Sequence, residues 1–214
     1  MAEMIDWDTV KYALITPEIT LDVYNRMPAE ISKMIEVVDG LLVRSESAEP
    51  THQAIQLNFL VSLREAMRAY DRKENTCHRV LGDLDVLIAE VPRFHFRRPD
   101  VVVYRCIDED RGNWGKKPLA SDCLLVIEIV SADSVSKDMR DKLAVYAAAG
   151  IPNYWIVRMD SDDGPAISVD RFELAAGGQY IAVQRTIRRA DFDAVNMTRP
   201  FPLTITWEQL DDGI

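Results

Sequence analysis

Apolar and polar positions repeat at two different periods along this chain, and each change of period marks an element. Leu60, Leu63, Met67 and Tyr70 recur at helical spacing after Pro50, which predicts a long amphipathic helix from Thr51 to Tyr70. Short runs rich in valine, isoleucine and leucine follow at Arg79 to Ala89, Asp100 to Arg105 and Cys123 to Ser131, and predict three central strands. Lys33 to Arg44 reads as a hairpin turning at Asp39-Gly40, because Asp-Gly suits a type I′ turn. Thr20 to Met27 predicts a short helix capped by Thr20. Met139, Leu143 and Tyr146 form the apolar stripe of a helix from Lys137 to Ala149, capped by Ser134 or Ser136, with Asp138 in its first turn and Gly150-Ile151-Pro152 ending it. Asn153 to Arg158 returns as a strand, and Ile167 to Leu174 pairs with Gln179 to Ile187. The chain closes with Leu203-Thr204-Ile205 and a turn of helix from Thr206. Trp114, in the loop Arg111 to Pro118, suits either a rim contact or a packing plug. Strands interleaved with helices predict an α/β class, and 214 residues without a Pro/Ser/Gly-rich linker predict a single domain over residues 1–214.

Composition narrows the function. The chain is 48% hydrophobic and 28% charged, as in soluble globular proteins, and no stretch approaches the roughly 20 apolar residues of a membrane span. No basic segment followed by an apolar core opens the chain, so no secretory signal is expected. Cys77, Cys106 and Cys123 are widely spaced, which fits buried free thiols in a reducing cytoplasm, and no Cys/His cluster has zinc spacing. A net charge of −10 argues against a broad, non-specific nucleic-acid surface. It leaves room for a local one, since Arg93, Arg97, Arg98, Arg105, Lys116 and Lys117 flank one strand and Arg185, Arg188 and Arg189 cluster later.

Glu128 changes the picture most, because it interrupts the apolar run Cys123-Leu124-Leu125-Val126-Ile127-Glu128-Ile129-Val130. A buried carboxylate without a partner costs several kcal/mol, so a metal ion or a cationic side chain should meet it. Asp100 opens a neighbouring strand and could share Mg²⁺ or Mn²⁺ with Glu128 and a backbone carbonyl, that of Ile129. Lys142, one turn before Tyr146, could reach Glu128 and stabilise charge at a phosphodiester, or simply form a buried ion pair with it. His52, at the start of the long helix, could reach a phosphate or a ligand water. Glu36 alternates with apolar residues, which suits a solvent-facing carboxylate or a third acidic ligand. Asp83 and Asp85 read as residues of a turn and a strand start.

These residues fall in a recognisable order: Pro99-Asp100, then Glu128-Ile129-Val130-Ser131, then Asp138-Met139-Arg140-Asp141-Lys142-Leu143-Ala144-Val145-Tyr146, then Ala149-Gly150-Ile151-Pro152-Asn153-Tyr154-Trp155-Ile156-Val157. The pattern resembles the Uma-two family of restriction-endonuclease-like proteins, in the PD-(D/E)XK nuclease superfamily, from about Glu36 to the final strand. The resemblance implies a mixed central sheet flanked by helices, here with an N-terminal hairpin and C-terminal strands. It also implies metal carboxylates at Asp100 and Glu128. Val130 stands where the superfamily has lysine, and the family carries that lysine on the next helix, where this chain has Lys142. Arg158 occupies a position where the family commonly has aspartate, a change expected to alter the rim more than the metal site.

The resulting expectation is a cytoplasmic Mg²⁺-dependent endonuclease acting on DNA. Asp100, Glu128 and Ile129 would hold metal, Lys142 would assist chemistry, and Glu36 and His52 would help. Homodimerisation is expected only by analogy with nucleases that cut both strands. Two rivals stand beside this reading. One is a non-catalytic nuclease-fold module that uses the acidic cleft for binding or regulation. The other is a metal-independent carboxylate-pair glycosidase, which leaves Lys142 unexplained.

Overall fold

The strand that carries Glu128, β7 (Cys123–Val130), lies near the middle of a six-stranded sheet in a computed structural model that describes residues 18–44, 49–131, 138–189 and 194–214. The element order is α1 (Leu21–Asn25), α2 (Ala29–Ser32), β1 (Ile35–Val38), β2 (Leu41–Arg44), α3 (Pro50–Glu74), β3 (His78–Gly82), β4 (Val86–Ala89), β5 (His95–Arg97) and β6 (Val101–Arg105). After β7 come α4 (Asp138–Ala148), β8 (Asn153–Met159), β9 (Ala166–Leu174), β10 (Tyr180–Ile187), β11 (Ala194–Met197), β12 (Leu203–Thr206) and α5 (Trp207–Leu210). The large sheet runs β10-β9-β8-β7-β6-β3, and a smaller one runs β2-β1-β5-β4. Only the β7–β8 pair of the large sheet is parallel, and α4 provides the crossover such a pair needs. This is the predicted mixed sheet flanked by helices.

Both faces of the large sheet are covered, so its strands carry apolar residues on alternate and opposite sides. Val101, Val103, Leu125, Ile127, Trp155 and Val157 face Ile55, Phe59, Leu63 and Met67 of α3, with the β11–β12 hairpin and α5 closing that core. Val102, Val126, Tyr154 and Ile156 face the other way, toward Tyr146 of α4. A third core joins the small sheet to α1 through Tyr24, Val37, Phe94, Phe96 and Trp114. Trp114 is thus a packing plug, with its indole N–H donating to the Pro118 carbonyl at 3.1 Å.

The helix ends follow local chemistry. Pro50 sits in the first turn of α3, where a missing N–H costs nothing, and Asn75 ends the helix in the left-handed region at φ 54°. Thr20 caps α1 through the Val23 N–H, and Asp39-Gly40 turns the β1–β2 hairpin at φ 50° and 80°. Thr206 and Gln209 form a capping box at α5. Ser134 and Ser136, the expected caps of α4, lie outside the described residues.

Two expectations need correction. Arg79 to Ala89 is two strands, because Asp83 turns the chain at φ 49° and sends β3 to the large sheet and β4 to the small one. Strands β5 and β11, of three and four residues, are too short to show a period in sequence. The cysteines are not all free: Cys77 and Cys106 sit opposite each other just beyond the β3–β6 pair, Cα atoms 5.4 Å apart, and form a disulfide, leaving Cys123 as a buried thiol. Unfolding without reductant should therefore expose one titratable thiol per chain, and a count of three would restore the earlier expectation.

Candidate active site

Five elements converge where the small sheet hands the chain over to the large one. Arg97 ends β5, Arg98 and Asp100 lie between β5 and β6, and β7 runs antiparallel beside β6 with Val101 opposite Ile127. One further step in that register sets Asp100 opposite Glu128. The Asp100 carboxylate folds across the strand gap so that its Oδ2 accepts the Ile129 N–H at 2.6 Å. Gln56 of α3 donates to the Asp100 carbonyl at 2.7 Å. Gly82 permits this approach: a Cβ there would lie 2.9 Å from Gln56 Nε2 and 3.1 Å from the Asp100 carbonyl.

Glu128 is 3% exposed, and both of its oxygens have partners. Lys142 Nζ donates to Oε2 at 2.8 Å and the Tyr146 hydroxyl donates to Oε1 at 2.7 Å, the two donors lying one turn apart on α4. Burial, with the Asp100 and Glu36 charges and against the pull of Lys142, leaves the Glu128 carboxyl pushed up to about 7. Tyr146 is fully buried, and burial together with the adjacent carboxylates holds its phenol well above the ordinary value.

His52 Nε2 stands between two oxygens, 3.4 Å from Asp100 Oδ2 and 3.2 Å from the Ile129 carbonyl. Burial lowers its proton affinity, but the hydrogen bond and charge of Asp100, the Ile129 carbonyl and the Asp83 charge outweigh that, so its pKa is raised. Glu36 is buried rather than solvent-facing, because Arg97 Nη1 donates to Oε2 at 2.9 Å and the Arg98 N–H donates to Oε1 at 2.6 Å. The structure thus brings Asp100, Glu128, Ile129, Lys142 and His52 together, with Glu36 at their margin. Gln56 and Tyr146 join them unforeseen. For Tyr146 the signal was present in its spacing from Lys142, but a tyrosine on an apolar stripe reads first as packing.

Most of the basic residues that sequence grouped beside Asp100 are neutralised. Arg98 pairs with Asp85 at 2.7 Å, Lys117 pairs with Asp85 at 3.0 Å while lying 3.9 Å from the Trp114 ring centroid, and Arg105 meets Asp122 at 2.8 Å. Asp85, which sequence places at a strand start, is a buried anion shared by Arg98 and Lys117, and also accepts the Tyr24 hydroxyl at 2.8 Å. Arg188 pairs with Asp211.

No group of three or more His, Cys, Asp or Glu side chains is arranged to hold a metal among the described residues. The donors that do converge are two carboxylates and one carbonyl, all hard oxygens. Mg²⁺ usually takes one or two carboxylates and keeps several waters, so this donor set fits it. Asp100 Oδ1 accepts no hydrogen bond among the described residues, and the Glu128 oxygens, with one donor each, retain lone pairs.

A family model described as "Putative restriction endonuclease", Uma2, matches residues 21–207. The chain belongs to the Uma2 family. That match runs from α1 to the first residue of α5 and includes every residue of the cluster. A solved structure, "a putative nuclease belonging to DUF820" from Anabaena variabilis ATCC 29413, has a similar fold, with a TM-score of 0.59 at 18% identity over 91% of this chain and 98% of that one. No curated protein matches. Among the described residues, no helix is long and apolar enough to cross a membrane.

Proposed function

We propose that this Uma2 protein is a Mg²⁺- or Mn²⁺-dependent endonuclease that hydrolyses DNA phosphodiester bonds at the Asp100–Glu128–Lys142 cluster. The observation that carries this reading is Glu128 itself: a carboxylate buried in the central strand, opposite a second carboxylate and 2.8 Å from a lysine ammonium. A core selected only for stability gains more from an apolar residue there.

Asp100, Glu128 and the Ile129 carbonyl would hold the ion, which would polarise a phosphoryl oxygen and acidify water. Lys142, on the rim of the same carboxylate, places positive charge where a phosphodiester gains negative charge as it is attacked. Tyr146 fixes one Glu128 oxygen and so sets the direction of the other. His52, whose proton affinity is raised beside Asp100, can hold a proton at Nε2 next to the Asp100 carboxylate and the Ile129 carbonyl. Glu36, locked by Arg97 and Arg98, adds negative potential from behind.

Plasmid DNA should be cut with added Mg²⁺ or Mn²⁺ and left intact in EDTA, and Asp100→Asn should slow cutting by about a hundredfold or more. Cutting that persists in EDTA would overturn metal dependence. A second reading, a non-catalytic nuclease-fold module, draws support from the satisfied Glu128, both of whose oxygens already have protein donors. It predicts DNA or protein binding that survives Glu128→Ala and Lys142→Ala, with no turnover in any variant.

A further inference from the structure

The Cys77–Cys106 disulfide takes no part in the chemistry above, yet it closes the stretch of chain that presents the site. The bond spans a separation of 29 residues, and the loop it closes contains β3, β4, β5 and β6, with Asp85, Arg97, Arg98 and Asp100 along the way. The β3–β6 pair joins the bond to the site. At one end Cys77 lies beside Cys106, one step beyond His78 opposite Arg105. At the other, Gly82 lies opposite Val101, the Asp83 N–H donates to the Asp100 carbonyl at 3.3 Å, and Gln56 donates to the same carbonyl at 2.7 Å. The seat of β3 on β6 thus helps to hold the Asp100 backbone.

Non-covalent contacts already fix the cysteine end. The Cys106 N–H donates to the Cys77 carbonyl at 2.9 Å, which continues the ladder past the last strand pair. Asp71 organises the turn from α3 into β3: its Oδ1 accepts the Thr76 hydroxyl at 2.8 Å and lies 2.6 Å from the His78 ring nitrogen, and its Oδ2 accepts the His78 N–H at 2.9 Å. Breaking the disulfide therefore leaves the native contacts in place. What the bond changes is the opened state, where it denies the 77–106 stretch the freedom of a chain with separate ends. That constraint acts where the sheet is weakest, because β3 is an edge strand paired only with β6 among the described residues. Cys77 is exposed and Cys106 half-buried, so a thiol from solution can reach the bond, whereas Cys123 is buried.

We infer that Cys77–Cys106 is a redox-sensitive latch on the stretch that carries Asp100. Oxidised, it keeps β3 and β6 from parting; reduced by a dithiol, it leaves the fold intact and lets that stretch open far more often. In the reduction a thiolate of the dithiol attacks Cys77 Sγ, the S–S bond breaks, and Cys106 leaves as a thiolate that takes up a proton. The second thiol of the reductant then attacks the reductant's own sulfur in the mixed disulfide and releases Cys77, which is protonated in turn. Two electrons and two protons pass to the protein, and the reductant becomes a cyclic disulfide. The latch concerns the opening of the chain and stands whether or not Asp100 holds a metal.

The test is amide hydrogen exchange, read by mass spectrometry on peptides from residues 77–106, in the oxidised protein and after dithiothreitol, with alkylation giving the thiol count of each sample. Amides that exchange only when β3 and β6 part should do so about a hundredfold faster in the reduced protein. Its melting temperature should fall by about 8 °C. The double variant Cys77→Ser/Cys106→Ser should match the reduced protein with or without dithiothreitol, which assigns the effect to this bond. A bond that dithiothreitol leaves intact in the folded protein, equal exchange in the two redox states, or loss of the fold on reduction would each overturn the latch. Plasmid cleavage by the oxidised protein with Mg²⁺ separates this inference from the nuclease reading. Redox-dependent exchange without cleavage keeps the latch and rejects the chemistry, and cleavage with equal exchange rejects the latch alone.

Discussion

Glu128→Ala should abolish DNA cleavage, by about a thousandfold or more, in a protein that still folds. The loss follows from removing one of the two carboxylates that would hold the ion, together with the anchor of Lys142 and the acceptor of Tyr146. The stability cost should be modest, about 2 kcal/mol against the 3–5 kcal/mol of breaking a fully buried pair. Two features limit it. The Lys142 side chain is 16% exposed, so its ammonium can recover water, and the raised Glu128 pKa means that the fold already disfavours the charged carboxylate. Urea midpoints and plasmid cleavage on the same preparation check both parts. Wild-type cleavage by a folded Glu128→Ala protein would remove Glu128 from the chemistry.

Lys142→Met should be equally damaging to activity and should leave a signature in the pH dependence of stability. It keeps the apolar stem along α4 and deletes the charge, so Glu128 loses the strongest influence that holds its proton affinity down. The sign follows from linkage. A carboxyl whose folded pKa lies above its unfolded value binds more protons when folded, so its contribution is full below the unfolded value and is lost as pH rises through the folded one. In the wild type that loss spans the interval from the ordinary glutamate value to about 7. In Lys142→Met it should deepen and extend to higher pH, while cleavage falls by about a hundredfold or more at neutral pH. Urea midpoints at pH 5 and pH 8 decide it: the variant should lose more stability across that range than the wild type. Parallel pH profiles for the two proteins would show that Lys142 does not govern the charge on Glu128.

Both predictions concern residues visible in the sequence, and the reason is physical. A charge inside a run of eight strand residues violates the apolar rule for a strand buried on both faces, and such violations concentrate at functional sites. The lysine was legible because it falls one turn before Tyr146 on a short helix joined directly to that strand. The two long-range partners were less so. Gln56 and His52 lie 44 and 48 residues before Asp100 on a helix whose apolar stripe predicts only which side faces the sheet. Glu36 reads as solvent-facing from its alternation with Ile35 and Val37, yet Arg97 and the Arg98 N–H bury it, because β5 pairs with β1. Strand β5 has three residues, too few to show a period.

The arginines teach the same lesson in the opposite direction. Arg97, Arg98, Arg105 and Lys117 form a basic cluster in sequence, but in the fold their charges meet Glu36, Asp85 and Asp122. Cys77 and Cys106 look like separate thiols in sequence, because a spacing of 29 residues carries no pairing information until β3 and β6 lie side by side.

Local periodicity and turn chemistry determined the α3 helix, the Asp39-Gly40 hairpin, the apolar strands of the large sheet and the anomaly at Glu128, since each depends on residues within a few positions of one another. Which strand stands beside which, that Asp100 faces Glu128 with His52 above it, and that Cys77 meets Cys106 were decided by tertiary structure alone. Those contacts join residues from separate elements, and only register and packing bring them within a few ångströms.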